Sequence, residues 1–249
     1  MKPLALDRWT LERLEGTALF YPCSGDDLRS PIGLFVPALR DFWFVDIGYF
    51  VNGRSAHRAR PVLAADERYT LLSVEGTGLE TAEKELRADE RTGKAYEWLE
   101  PGVLTERYLH RASGQLVSVH RRRGFGPSAL RKEIGNLGVF FYRGDSLGEG
   151  GSGTLWLSVH HSNVRLIEEV LAKLVDGGLI VTDGSNCHGS QNPYAELGRF
   201  HRQAIGREAV KLARPFEDPQ GRRFECIGYA GRRYGPTLVW QVSRPQADG

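Results

Sequence analysis

Cysteine is scarce in this chain. Its 249 residues hold three, Cys23, Cys187 and Cys226. Their number is odd and their spacings are long, which excludes both a disulfide framework and a Cys-x-x-Cys metal clip. No run of 18 apolar residues occurs, so no membrane-spanning helix is expected. The opening stretch, MKPLALDRWTLERLEG, is broken by charge every few positions and lacks the apolar core of a signal peptide. The resulting expectation is a cytoplasmic protein with no membrane partner. Charge of one sign is missing too: 33 basic residues face 31 acidic ones, for a net +2. That balance argues against a dedicated nucleic-acid binder, while a local basic patch stays open. Neither an internal repeat nor a low-complexity tract is visible.

What is present is ordinary globular composition, 41% hydrophobic and 26% charged. The length suits one domain over residues 1–249 that can bury a core without a disulfide or a metal. Residues 6–14 read as a short helix with Asp7 as cap. TALFYP (17–22), FWFVDI (42–47), LGVFFY (137–142) and LIVTDG (179–184) are continuous apolar runs, as in a parallel sheet covered on both faces. Residues 28–39 are weakly helical because of Pro31 and Pro37. Residues 69–76 read as a strand, and the charged stretch 80–95 as an exposed helix or excursion. Two alternating runs around Ala112-Ser113-Gly114 predict a hairpin. Leu166, Ile167, Val170, Leu171, Leu174 and Val175 form one apolar stripe at helical period, which Asp176-Gly177-Gly178 ends. RFECIGYAG and PTLVWQVSR predict a closing antiparallel pair. The order predicts an α/β fold: a doubly wound, mostly parallel, Rossmann-like sheet with a C-terminal antiparallel hairpin. Residues 48–135 read as an insertion in it.

The first candidate site is the turn in YPCSGDD with Asp46, which ends the second strand 21 residues after Gly25. In doubly wound folds the first strand-to-helix turn meets the ligand, and an acidic residue about 20 positions on bonds a ribose. Here the chain resembles the class I S-adenosylmethionine-dependent methyltransferases. LIEEVLAKLVDGGLIVTDG resembles the helix, turn and strand that follow that family's fourth strand, and the family also ends with an antiparallel strand inserted in its sheet. The resemblance implies S-adenosylmethionine as cofactor, approached by Ser24, Gly25 and Asp26, with Asp46 on its ribose. YPCSGDD carries one glycine where the family usually shows several. That departure points to an alternative: a non-catalytic, methyltransferase-like module that binds a small ligand or a protein partner.

The second candidate is RGDSLGEGGSG (143–153), five glycines in eleven residues after a strand. Its backbone N–H groups could form an anion nest, but no Gly-Lys-Ser/Thr makes it a P-loop. By the resemblance it faces the substrate: Asp145 and Ser146 are the candidate catalytic residues, and Arg143 and Glu149 line the acceptor pocket. GDSL (144–147) also resembles the nucleophile block of the GDSL hydrolases, which makes Ser146 a third reading. That family's Asp-x-x-His is absent. His188, just after a strand, opens on the same side and is a third substrate-side candidate. The run His120-Arg121-Arg122-Arg123 could grip phosphate, or be a solvated strand end. No histidine pair has metal spacing, so no metal is expected. The expected function is methyl transfer to a small or medium acceptor.

Overall fold

A computed structural model describes residues 2–46, 49–50, 60–78, 85–88, 95–98, 101–143, 166–187 and 192–245. Asp7 caps α1 (Arg8–Leu14) by accepting the Thr10 N–H at 2.7 Å, which holds its carboxyl below the usual range. The chain continues through β1 (Ala18–Pro22), α2 (Arg29–Phe35) and β2 (Asp41–Asp46), then β3 (Tyr69–Thr77), β4 (Glu85–Ala88), β5 (Ala95–Trp98), β6 (Gly102–His110) and β7 (Gln115–Arg123). It goes on to α3 (Gly126–Lys132), β8 (Leu137–Tyr142), α4 (Leu166–Lys173) and β9 (Leu174–Thr182). A 3-10 turn (Ala195–Gly198), α5 (Glu208–Leu212), β10 (Phe216–Glu217), β11 (Arg223–Arg232) and β12 (Pro236–Ser243) complete it.

Ten strands form one sheet in the order β10-β11-β12-β9-β8-β1-β2-β7-β6-β3. This corrects the doubly wound, mostly parallel Rossmann-like class expected from sequence. Five neighbouring strands, β9-β8-β1-β2-β7, are parallel. The other five pairings are antiparallel: β3 with β6, β6 with β7, β9 with β12, β12 with β11, and β11 with β10. The reason is visible in the segment read as an insertion. Its hairpin β6–β7 does form, but β7 then enters the main sheet beside β2 and carries β6 and β3 with it. Continuous apolar runs report burial on both faces and say nothing of the direction of the next strand. Among the described residues the α-helices number five and run from five to eight residues, too little helix for a doubly wound fold.

Two local expectations also change. The stripe helix ends at Lys173, and β9 begins at once, taking Asp176-Gly177-Gly178 into its first half. Gly177 has φ +73, and a Cβ there would lie 2.4 Å from the Trp9 ring, so the residue serves packing as well as backbone geometry. In the stretch read as an exposed helix or an excursion, β4 pairs with β5 as an antiparallel ribbon apart from the main sheet, so the helix alternative falls. The closing hairpin is present as β11–β12.

Successive strand residues point to opposite faces, which splits the core in two. Phe20, Phe140, Ile180 and Trp240 pack under α3, α4 and α5 on one face. Leu19, Phe141, Val181 and Val239 pack against α1 and α2 on the other. With both faces covered, the carboxyl ends of the five parallel strands form an edge on which loops converge.

Candidate functional site at the carboxyl edge of the parallel strands

The turn after β1 is built by backbone conformation. Cys23 and Gly25 have φ of 54 and 53. A Cβ on Gly25 would meet nothing within 4 Å, so glycine is favoured there by its torsion and not by crowding. The Gly25 N–H donates to Asp46 Oδ2 at 2.9 Å. Asp46 is 7% exposed, so the acid ending β2 is turned into the fold and fastens the first turn. Tyr49 Oη donates to the Gly25 carbonyl at 2.7 Å. Its single proton is thereby used, and the buried Ser24 hydroxyl donates to Tyr49 across 2.7 Å.

Asp27 is the hub beside this turn. Arg143, at the end of β8, holds it bidentately: Nη2 is 2.8 Å from Oδ1, and Nη2 and Nε are 2.6 and 3.0 Å from Oδ2. Both side chains are shielded, 6% and 15% exposed, so solvent screens the pair little and removing either partner would strand the other's charge. Arg143 also donates to Ser30 Oγ at 2.8 Å. Tyr21 Oη donates to Asp27 Oδ2 at 3.2 Å. Burial, reinforced by the Asp27 charge, pushes the Tyr21 phenol well above its ordinary value, so it stays a neutral donor.

The β11–β12 hairpin brings its tip to the same edge. The Tyr234 N–H lies 3.4 Å from Asp183 Oδ2, just past β9, where Asp183 also accepts Ser185 Oγ at 2.6 Å. Arg233 Nη1 then stands 3.6 Å from Asp27 Oδ2 and 3.5 Å from Tyr21 Oη. Gly25, Asp26, Asp27, Arg143, Arg232 and Arg233 line a cavity of ≈ 570 Å³. A second cavity of ≈ 550 Å³ shares Asp26 and Asp27 and adds Arg29, Arg60 and Arg121 among its walls.

Of the residues singled out in the sequence, Gly25, Asp26 and Arg143 line one cavity, Asp46 is bonded to Gly25, and Ser24 is buried beneath the turn. Asp145, Ser146, Glu149 and His188 lie outside the described residues. Sequence reading missed Tyr21, Asp27, Tyr49, Arg232 and Arg233. The second aspartate of CSGDD was a visible signal for Asp27; the hairpin arginines read only as a turn.

The arginine run of β7 is neither a grip nor a solvated end. Arg121, Arg122 and Arg123 are all buried. Arg121 pairs with Glu106, which also accepts from Tyr108 Oη and from the Val62 N–H. Burial, helped by the Glu106 bond, raises the Tyr108 phenol far above its ordinary value. Arg122 Nε is 3.4 Å from Glu133, and Arg123 Nη2 donates to the Gly78 carbonyl at 2.8 Å. Comparison of the chain with family models, with curated proteins and with solved structures finds no match.

Proposed function

We propose that the carboxyl edge binds S-adenosylmethionine and that the chain transfers its methyl group to a small or medium acceptor. The observation that carries this reading is the Gly25 N–H bond to Asp46 Oδ2. It joins the turn after one parallel strand to the acid ending the next, at the rim of a cavity of ≈ 570 Å³. The place of β12, antiparallel between β9 and β11, agrees with the resemblance from which the reading began.

The donor set fits a ligand of this charge pattern. S-adenosylmethionine supplies, when bound, a methyl group on a sulfonium centre. Asp26 puts a carboxylate beside Gly25, Asp27 is taken by Arg143, and arginines line the same cavity, a mixed lining that suits a ligand carrying both signs of charge. Gly25 leaves the turn without a side chain, so a ligand can approach the backbone. Asp46 holds the turn in place. The remaining work is positioning, which alone can account for much of such a rate enhancement. The proposed setting is the cytoplasm. Cys23, Cys187 and Cys226 are thiols, as a reducing compartment keeps them, and among the described residues no helix is long and apolar enough to cross a membrane.

One observation favours a second reading. Asp46 is 7% exposed and already engaged by Gly25, so a ribose diol would have to share it. In that reading the edge binds a different small ligand and performs no transfer.

The test is calorimetric titration with S-adenosylmethionine and S-adenosylhomocysteine, on the wild-type chain and on Asp46→Asn. The asparagine keeps an oxygen for the Gly25 N–H while removing the charge. Binding of about micromolar strength, weakened tenfold or more in the variant without loss of fold, is the expected result. Absence of heat at millimolar ligand overturns methyl transfer and leaves the second reading.

A further inference from the structure

The carboxyl edge gathers arginines. Its two adjoining cavities are walled by Arg29, Arg60, Arg121, Arg143, Arg232 and Arg233 against Asp26 and Asp27. Against these six arginines the edge also sets Glu106, Asp46 and Asp183, so the charges nearly balance and the position of each arginine decides what it can bind. The arginines differ in how far they are used. Arg143 is spent on both oxygens of Asp27, and Arg121 on Glu106 and the Arg60 carbonyl. Arg233 is held more loosely: Nη1 donates to Tyr21 Oη at 3.5 Å and stands 3.6 Å from an Asp27 that Arg143 already holds, the guanidinium lies over the Tyr234 ring, and the side chain is 38% exposed. Arg232, beside it in sequence at the hairpin tip, donates from Nη1 to the Ala204 carbonyl at 3.2 Å. Both guanidinium groups line one cavity and each has donors left beyond these contacts, which suits them to a planar or tetrahedral oxyanion.

We propose that Arg232 and Arg233 bind an oxyanion group, phosphate or carboxylate, of the acceptor. The inference rests on the reading of this cavity as a ligand site and names the charge that the acceptor carries. Asp27 takes part by holding Arg143, so that the Arg143 charge does not compete with Arg232 and Arg233. The two guanidinium groups attract the anion and orient it.

The experiment titrates the full chain with pyrophosphate and with succinate at fixed ionic strength, following heat and the melting temperature. The variants are Arg233→Gln, Arg232→Gln, the double substitution, and Arg233→Lys, which keeps charge but loses the guanidinium. Arg8→Gln, remote on α1 and 93% exposed, controls for lost charge alone. Expected is binding of one probe or both by the wild type, weakened tenfold or more in the double variant, partly in Arg233→Lys, and unchanged in Arg8→Gln. Preference for pyrophosphate assigns a phosphorylated acceptor, and preference for succinate a carboxylated one. Binding of neither probe, or equal weakening in Arg8→Gln, overturns the proposal. S-adenosylmethionine titrated into the same samples separates the two readings. Cofactor binding without oxyanion binding sinks only this inference, and the reverse sinks only methyl transfer.

Discussion

The chain holds three runs of adjacent arginines, and two of them meet opposite fates. Arg121, Arg122 and Arg123 on β7 lie inside the fold, paired or bonded to carbonyls. Arg232 and Arg233 stand at a hairpin tip and are held more loosely. The residue type is the same, so the difference comes from the chain around it. A central strand delivers its side chains into packed layers, where a bare charge is intolerable and a partner must be supplied. A hairpin tip leaves its side chains in water, where a charge needs no partner and stays available to a ligand. A basic run in a sequence therefore predicts binding only after its strand has been placed.

The largest break in this comparison is Glu106→Ala. It strips Arg121 of its buried partner and should cost about 3–5 kcal/mol of stability, read from urea unfolding. Asp27→Asn comes next. It weakens a pair that is slightly more exposed, and a loss of about 2–3 kcal/mol is expected, with Arg143 freed toward the cavity. A third kind of arginine sharpens the contrast. Arg68, 48% exposed, binds Asp66 and holds its carboxyl at about 2, mainly through the side-chain hydrogen bond. Because that carboxyl is depressed below 3.8, its contribution is present above pH 3.8 and lost as pH falls through about 2. Asp66→Asn should change stability by under about 1 kcal/mol at pH 7 and flatten the fall in melting temperature over that acid window. Smallest of all is Arg233→Gln, expected within about 0.5 kcal/mol of wild type in unfolding. A larger loss would mean that the hairpin arginine is structural after all.

Local pattern carried much of the fold. The runs that became β1, β2 and β8 were readable because every residue in them is apolar or nearly so, and the alternation of residues 102–123 announced a hairpin. Strand order was not readable, because periodicity reports which faces are buried and not which neighbour buries them. That is how residues 48–135 could be taken for an insertion while β3, β6 and β7 extended the main sheet. The candidate site divides the same way. Gly25 and Asp46 were found because their spacing is a local property of a strand-turn-strand stretch. Asp27 and Arg143 are 116 residues apart, and Tyr21 and Arg233 are 212 apart; no window on the sequence joins them. The fate of Arg121 was hidden for a related reason, since its partner Glu106 lies on the facing strand of a hairpin whose buried side the sequence left open.

The 212-residue span between Tyr21 and Arg233 bears on how the protein is made. A chain emerges from the ribosome at about 5–20 residues per second, amino end first. The turn at Gly25 is therefore made well before the hairpin whose arginines complete its cavity. In the interval the turn waits without them, and the edge takes its full shape only once β11 and β12 have followed.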